Sequence, residues 1–260
     1  MDYQIKGKTA YVTAGAHGIG EAIADLLTQE GAAVMVADED EAALREKANK
    51  WRGTVAANLA TAAGVERAVA YVLETFGKAP DILINNLGVG NSTPFEEITD
   101  DRWAQSIDVN LMGTVRTCRA LVPRMAAQGT GSVVNTGSDL AKQPEPGFID
   151  YGACKAGLLY LTNALAKQYA PIVRINTVLP GPIWSRMWTR PGGIVDQLLA
   201  HYGTTDRDVA VKRFLEDRQM PMGIGQPEDV AHAVVFLASP LAKFITGASL
   251  DIGGTIRGLI

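Results

Sequence analysis

Apolar and polar residues form two kinds of segment along the chain, one short and one long. Residues 9–13 and 32–38 are short, and 32–38 is apolar almost throughout, as is typical of a strand buried on both faces. Between them, Ile19 and Ile23 recur with helical spacing, and Gly31 is a helix stop. The pattern predicts a strand, a helix and a second strand.

The same alternation continues along the chain. It predicts strands at 54–58, 82–85, 131–136, 173–179 and 248–252, and helices at about 41–51, 61–76, 101–127, 151–169 and 227–238. Strands separated by helices of this length form right-handed βαβ units and a parallel sheet. No linker-like composition interrupts the series. We therefore predict an α/β fold: a single domain over residues 1–260, with a Rossmann-like, doubly wound parallel sheet of about seven strands and helices on both faces.

One region breaks this rhythm. Residues 181–226 carry two tryptophans, a Pro-Gly-Gly run and two short helix-like pieces. A connection of this length is usually functional, so we interpret it as a substrate loop. The alternative is a surface excursion that only makes contacts between subunits.

Composition narrows the function classes. The formal charge is −4 and the basic residues are scattered, so no nucleic-acid partner is expected. The two cysteines lie far apart, which favours reduced thiols, and the three histidines lack metal-ligand spacing. The first residues lack the apolar core of a signal peptide, and no apolar run is long enough to span a bilayer. We expect a cytoplasmic protein with no metal and no membrane partner.

The first predicted strand leads into a glycine-rich turn, "YVTAGAHGIG". A strand, a glycine turn and a helix present backbone N–H groups and a helix N-terminus to a pyrophosphate. Gly18 and Gly20 stand at the helix start, where a side chain would block that approach. Ala14 precedes Gly15, and we predict a negative φ at Ala14, with Gly15 taking any unusual turn.

Asp38 ends the second predicted strand, about 20 residues after the glycine turn. A carboxylate at this place can accept hydrogen bonds from the adenosine ribose hydroxyls and would repel a 2′-phosphate. Glu39 and Asp40 add negative charge, and neither the turn nor the strand end carries Arg or Lys. The sequence favours NAD over NADP. Asp38 could also cap the following helix, and the two roles are compatible.

Tyr151 and Lys155 stand four residues apart on a predicted helix and therefore share one face. A tyrosine hydroxyl has an ordinary pKa of about 10, too high for a base at neutral pH. The lysine ammonium and a positive nicotinamide ring would both lower it. Ser138 follows the predicted strand 131–136, at the sheet edge where ligands bind. Asn110 lies inside a predicted helix, although asparagine is a poor helix former.

Together these motifs resemble the classical short-chain dehydrogenase/reductase family, from "GKTAYVTAGAHGIG" through "PEDVAHAVVFLAS" to "ITGASLDIGG". The resemblance implies that Tyr151 is the general acid/base and that Lys155 lowers its pKa and holds the nicotinamide ribose. It implies that Ser138 polarises the substrate oxygen and that Asn110 supports a proton-relaying water. The cofactor-binding residues that we expect are Thr13, Gly15, His17, Gly18, Ile19, Gly20, Asp38, Asn58, Leu59, Asn86, Gly88, Tyr151, Lys155, Pro180, Gly181, Ile183 and Ser185.

Three positions depart from the family pattern. Ala14 replaces the first loop glycine, Leu87 replaces an alanine, and Gly253 replaces an aspartate. None of them removes a catalytic group. The loop change could still alter the cofactor affinity or the path of the turn.

The resulting prediction is an NAD-dependent oxidoreductase that moves a hydride between nicotinamide and a secondary alcohol or ketone. A non-catalytic dinucleotide sensor is the alternative, and a serine hydrolase fails because no G-x-S-x-G elbow is present. A partly hydrophobic substrate is expected. Its predicted contacts are Leu140, Gln143, Phe148, Trp184, Met187 and Trp188. The tryptophans and Met187 could instead pack the loop or a subunit contact.

The family also implies a homotetramer. The predicted helix from Tyr151 is apolar on more than one face, as in "AGLLYLTNALA", so it needs two packing partners. A second subunit could supply one of them.

Overall fold

The computed structural model describes residues 2–254. Within them, seven parallel strands form one sheet. Their bounds are β1 (Thr9–Thr13), β2 (Ala33–Asp38), β3 (Gly53–Ala56), β4 (Ile82–Asn85), β5 (Gly131–Thr136), β6 (Val173–Pro180) and β7 (Ser249–Ile252). The strand order is β3-β2-β1-β4-β5-β6-β7. This single-domain Rossmann-like α/β fold confirms the predicted fold class.

Helices cover both faces of the sheet. Their bounds are α1 (Gly18–Gln29), α2 (Glu41–Glu46), α3 (Ala62–Phe76), α4 (Asp100–Ile107), α5 (Gly113–Ala127), α6 (Ile149–Tyr169), α7 (Arg186–Thr189), α8 (Ile194–Tyr202), α9 (Arg207–Asp217) and α10 (Pro227–Ala238). One apolar core lies beneath α1 and α10, and a second beneath α3, α5 and α6. Alternate residues of the central strands fill the two cores. Val12 and Ile84 point into the first, whereas Tyr11 and Leu83 point into the second.

The predicted helix over 101–127 is wrong in one respect. It is divided into α4 and α5 by a π-helical turn, Asp108–Met112, which contains Asn110. Such turns insert an extra residue into the helix and occur frequently at functional sites. The Asn110 side chain uses this turn to reach the backbone beyond β4.

Residues 181–226 have structure of their own. Ile183 and Gly225 pair as a β-bridge, so the two ends of this segment lie side by side. Between them, α7, α8 and α9 enclose a small apolar cluster formed by Trp188, Val195, Phe214 and Met220. The loop is therefore a packed unit above the carboxyl ends of the strands.

Candidate active site

A cavity of about 1,090 Å³ opens at the carboxyl ends of the strands. The strand order reverses between β1 and β4, and ligands of open α/β sheets bind at such a switch point. Many residues predicted from the sequence line this cavity. They are His17, Gly18, Ile19, Asp38, Asn58, Leu59, Asn86, Gly88, Ser138, Leu140, Phe148, Tyr151, Lys155, Pro180, Gly181, Ile183, Ser185, Met187 and Trp188.

The glycine turn has the compact form that a dinucleotide loop requires. Gly18 begins α1 with φ +54°, a left-handed conformation that favours glycine. A Cβ at Gly20 would overlap the Ala14 carbonyl oxygen and stand 2.6 Å from the Asn86 side-chain nitrogen. Neither glycine therefore tolerates a larger residue without movement of the turn.

The predicted negative φ at Ala14 is wrong. Ala14 has φ +50°, in the left-handed region, where an L-residue with a Cβ is strained. The next residue, Gly15, is not among the positive-φ glycines, and a Cβ there would stand 2.7 Å from a Val36 methyl carbon. Packing against β2 therefore explains Gly15, and the unusual turn falls on Ala14.

Three predicted cofactor residues lie behind the cavity wall. The Thr13 hydroxyl accepts a hydrogen bond from the Asn86 backbone N–H at 2.9 Å, so it positions a lining residue. Gly15 and Gly20 keep the turn close to β2 and to Asn86. All three act on the shape of the wall.

Asp38 fixes the turn from the side of β2. Its carboxylate accepts hydrogen bonds from the backbone N–H groups of Ala16 and Asp40, both at 3.0 Å. The carboxylate also lines the cavity, at the carboxyl end of the strand next to β1. A negative charge therefore stands where the sequence predicts the adenosine ribose.

His17 and Arg186 are distant in sequence but meet at Asp40, two residues after Asp38. Arg186 of α7 contacts both Asp40 and His17, with N–O and N–N distances of 2.9 and 2.7 Å. The backbone N–H of Ala43, His17 and Arg186 together hold the pKa of Asp40 well below its usual range. The sequence shows no Arg or Lys near the glycine turn, but the fold brings Arg186 to it from the segment 181–226. Arg186 forms an ion pair with Asp40.

Tyr151 and Ser138 line the same part of the cavity. Burial raises the pKa of Tyr151 above its usual range, the Ser138 side chain acts in the other direction, and the charge of Asp139 adds to the rise. The predicted lowering of the Tyr151 pKa is therefore wrong for the protein alone, because desolvation of the phenolate outweighs the other effects.

Lys155 lies on the same helix face and is buried, with 2% of its surface exposed. Its ammonium donates to the carbonyl oxygens of Thr136 at 3.0 Å and Leu87 at 3.3 Å, and lies 5.5 Å from the centre of the Tyr151 ring. Burial lowers the pKa of Lys155 to about 8. The lysine can therefore gain or lose a proton near neutral pH.

Asn110 lies one layer behind these groups. It is fully buried, and its amide exchanges two hydrogen bonds of 2.9 Å with the backbone of Val89. Its oxygen also stands next to Gly88, where a Cβ would approach it to 3.4 Å and the Lys155 ammonium to 2.9 Å. The absence of a side chain at Gly88 therefore lets this backbone pack closely against Lys155 and Asn110.

These features fit a nicotinamide dinucleotide. The glycine turn offers a helix N-terminus for a pyrophosphate, Asp38 lines the cavity at the expected ribose position, and Gly88 and Lys155 line it further along. The buried Thr136 hydroxyl oxygen, which has no hydrogen-bond partner among the described residues, is another polar group at this end of β5. Thr136 was missed from the sequence, although its place at a strand end was a signal.

The residues predicted to contact substrate are divided by the structure. Trp184 and Gln143 lie outside the cavity lining. Trp184 stacks edge-on against Trp188, with ring centres 5.5 Å apart, and belongs to the apolar cluster of the substrate loop. The alternative, that the tryptophans pack the loop, therefore describes Trp184, whereas Trp188 both packs the loop and lines the cavity.

The sequence also left unassigned several charged groups on this side of the cavity. Asp139 accepts the Ser138 hydroxyl at 3.0 Å, and Arg218, directly after α9, pairs with Glu145 at 2.7 Å. Arg190 lines the same space. The one sequence signal for Asp139 was its position next to Ser138. Arg190 and Arg218 directly follow α7 and α9, and the packing of these helices could not be predicted.

Two further observations concern residues 2–254 as a whole. No group of three His, Cys, Asp or Glu side chains there is arranged to hold a metal ion. No helix in the same range is both long and apolar enough to cross a membrane.

Comparison with known proteins agrees with the site. A family model described as enoyl-(acyl carrier protein) reductase matches residues 13–254. Human dehydrogenase/reductase SDR family member 4 is 35% identical over 266 residues, covering 96% of this chain and 87% of that protein. The chain belongs to the short-chain dehydrogenase/reductase family. The resemblance inferred from the sequence is thereby confirmed.

Solved structures of family members share the whole architecture. L-sorbose reductase from Gluconobacter frateurii, in complex with NADPH and L-sorbose, has a TM-score of 0.91 and 29% identity, with all of both chains covered. The 3-ketoacyl-(acyl-carrier-protein) reductase from Brucella melitensis, in complex with NADH, has a TM-score of 0.83 and 30% identity, with 96% of this chain and 98% of that chain covered. Relatives of this fold thus bind either nicotinamide cofactor.

Proposed function

We propose that the protein is an NAD-dependent oxidoreductase that transfers a hydride between nicotinamide and a secondary alcohol or ketone. One observation carries the proposal. Tyr151, Ser138 and Lys155 line a single cavity together with the glycine turn and Asp38. A dinucleotide sensor that only binds would not need a buried tyrosine and lysine at the far end of that cavity.

Each side chain has a separate task. Tyr151 gives its proton to the oxygen of a ketone or accepts one from an alcohol, and Ser138 donates to the same oxygen. Lys155 holds the ribose and receives protons, for which a pKa of about 8 suits it. Asn110 holds the backbone next to Gly88 and Lys155 in place through its bonds to Val89. NAD, when bound, supplies the hydride acceptor.

NAD is proposed over NADP because of the charges at the adenosine end. Asp38 would repel a 2′-phosphate, and the Arg186 charge that could attract one is paired with Asp40. The two solved relatives differ, one holding NADPH and the other NADH. The preference of this chain therefore rests on its own residues.

The proposed substrate is a partly hydrophobic alcohol or ketone of medium size. Leu140 and Phe148 supply apolar wall near Tyr151, and Met187 and Trp188 add to it from a substrate loop that we place at 181–226. The Glu145–Arg218 ion pair adds a polar side to the same space. A substrate with both apolar and polar parts fits this wall better than a pure hydrocarbon chain.

We also propose a cytoplasmic homotetramer. Helix α6 leaves Tyr160 80% exposed, and Phe244 in the connection before β7 is fully exposed. Apolar surface of this kind needs a cover, and a second copy of the chain could supply it. Light scattering should give the mass of four chains, and a monomer would contradict the assembly.

The function is tested by turnover. Purified protein is incubated with NAD or NADP and a panel of secondary alcohols, and with NADH and the matching ketones. We expect NAD-dependent oxidation of at least one alcohol. Activity should fall at least about a thousandfold in Tyr151→Phe, since the variant has no proton to exchange. NADH binding by the variant, measured by fluorescence titration, is the control for an intact fold. No turnover on any substrate, or a fully active Tyr151→Phe, contradicts the proposal.

A further inference from the structure

Asp139 is a partly buried carboxyl group beside the proposed catalytic residues. It begins a short 3₁₀ turn, Asp139–Ala141, directly after Ser138. Its Oδ1 accepts the Ser138 hydroxyl at 3.0 Å and the Leu140 backbone N–H at 2.9 Å. It lines the same cavity as Tyr151. The Ser138 hydroxyl therefore donates to Asp139 in this structure, and it must turn away from this carboxylate to donate to a substrate oxygen.

The charges around Asp139 are unevenly placed. The positive charge of Arg218, directly after α9, attracts Asp139, but Arg218 makes its ion pair with Glu145. Lys142 pairs with Asp251, and Lys155 of α6 donates to Thr136 and Leu87. Within residues 2–254, no basic side chain forms an ion pair with Asp139. Its negative charge is thus not cancelled locally.

Asp139 and Tyr151 line the same cavity, and the charge of Asp139 adds to the rise in the pKa of Tyr151. A carboxylate near a phenol disfavours the phenolate, and the effect is strong in a buried site because water screens it poorly. The direction is the reverse of that expected for Lys155, whose ammonium favours the phenolate. The two hydrogen bonds that Asp139 accepts favour its own charged form, whereas burial raises its pKa.

We propose that Asp139 is a positioning residue that holds the Ser138 hydroxyl and, through its negative charge, keeps Tyr151 in the protonated form needed for ketone reduction. This inference rests on the proposed function, because it assigns a property to Tyr151 as acid and base. Alcohol oxidation, which needs the phenolate, then occurs only at a higher pH.

The competing interpretation is purely structural. Asp139 could do no more than accept the Leu140 N–H at the start of the 3₁₀ turn. Asparagine can make the same bond, so under this interpretation Asp139→Asn would leave the titration of Tyr151 unchanged.

The pH dependence of kcat/KM for alcohol oxidation with saturating NAD distinguishes the two. Each profile is normalised to its own alkaline plateau, so that a general loss of activity has no effect on its midpoint. We expect Asp139→Asn to move the midpoint at least about half a unit lower, a gain of about threefold at a pH below the midpoint. Asp139→Glu retains the charge and should return the midpoint close to that of the wild type. An unchanged midpoint in Asp139→Asn, or an equal shift in both variants, overturns the proposal.

A second measurement does not depend on turnover. The ultraviolet absorbance of the phenolate is titrated in the NAD-saturated protein, and the profile of Tyr151→Phe is subtracted to isolate Tyr151. The phenolate should form at lower pH in Asp139→Asn than in the wild type. If it forms at the same pH in both proteins, the proposal is wrong. If no alcohol is oxidised but the phenolate titration shifts, the proposed function fails while the role of Asp139 stands.

Discussion

The side-chain amide of Asn110 pairs with both backbone polar groups of Val89. Its oxygen accepts the Val89 N–H and its nitrogen donates to the Val89 carbonyl oxygen, each at 2.9 Å. This exchange joins the π-helical turn between α4 and α5 to the segment that follows β4. It also fixes Gly88 in front of the Lys155 ammonium.

The first prediction concerns this pair. Asn110→Ala should lower the free energy of unfolding by about 1–3 kcal/mol, because it leaves two partly buried backbone groups of Val89 without partners. It should also lower kcat, since Gly88 and Lys155 lose their fixed spacing. Urea unfolding and steady-state kinetics measure the two effects. Asn163→Ala is the control, because Asn163 is exposed on α6 and bonds only within its own helix. Equal effects of the two substitutions would contradict the assigned role.

The second prediction concerns the strained residue of the glycine turn. Ala14→Gly should raise the free energy of unfolding by about 0.5–1 kcal/mol, because glycine adopts φ +50° without steric conflict. NADH binding should persist, since only the Ala14 methyl group is removed from the cavity wall. The matched control is Ala70→Gly on the exposed face of α3, which should lower stability by about 1 kcal/mol. If Ala14→Gly destabilises the protein as much as the control does, the turn is not strained.

The fold and the main site residues could be predicted because local patterns carry them. Buried parallel strands are apolar throughout, and Gly18 and Gly20 mark the turn after β1. Tyr151 and Lys155 share a helix face by spacing alone. The strand order then brings the carboxyl ends of the strands, and the residues that follow them, to one crevice.

Other features depend on contacts between segments that are distant in sequence. Arg186 reaches Asp40 from 146 residues away, and Arg218 meets Glu145 only after α9 has folded over the cavity. The left-handed Ala14 follows from the packing of Gly15 against Val36. No local propensity encodes such contacts, so they could not be read from the sequence.

The third prediction follows from the buried lysine. The folded protein holds the pKa of Lys155 at about 8, below the ordinary value near 10.4 in the unfolded chain. Between these values the unfolded chain binds more protons at this site, so the contribution of Lys155 to stability rises with pH. Below pH 8 the full cost of burying the charge is present. From pH 7 to 9.5, the wild type should therefore gain about 1–2 kcal/mol relative to Lys155→Met.

Urea unfolding at several pH values measures this difference. Lys167→Met is the control, since Lys167 is exposed on the same helix and its removal should give a difference that does not change with pH. A constant difference for Lys155→Met as well would mean that burial does not disfavour its charge.

The last prediction tests the basis of the NAD preference. Asp38→Asn keeps the shape of the side chain but removes the charge that would repel a 2′-phosphate. The ratio of kcat/KM with NAD to that with NADP should fall at least about tenfold. Adding Asp40→Asn should lower the ratio further, because Arg186 loses its carboxylate partner and becomes available to a phosphate. Glu46→Gln, an equal change of charge at an exposed position in α2, should leave the ratio unchanged. If all three proteins keep the wild-type ratio, the preference arises elsewhere in the cavity and Asp38 serves only to hold the turn through Ala16.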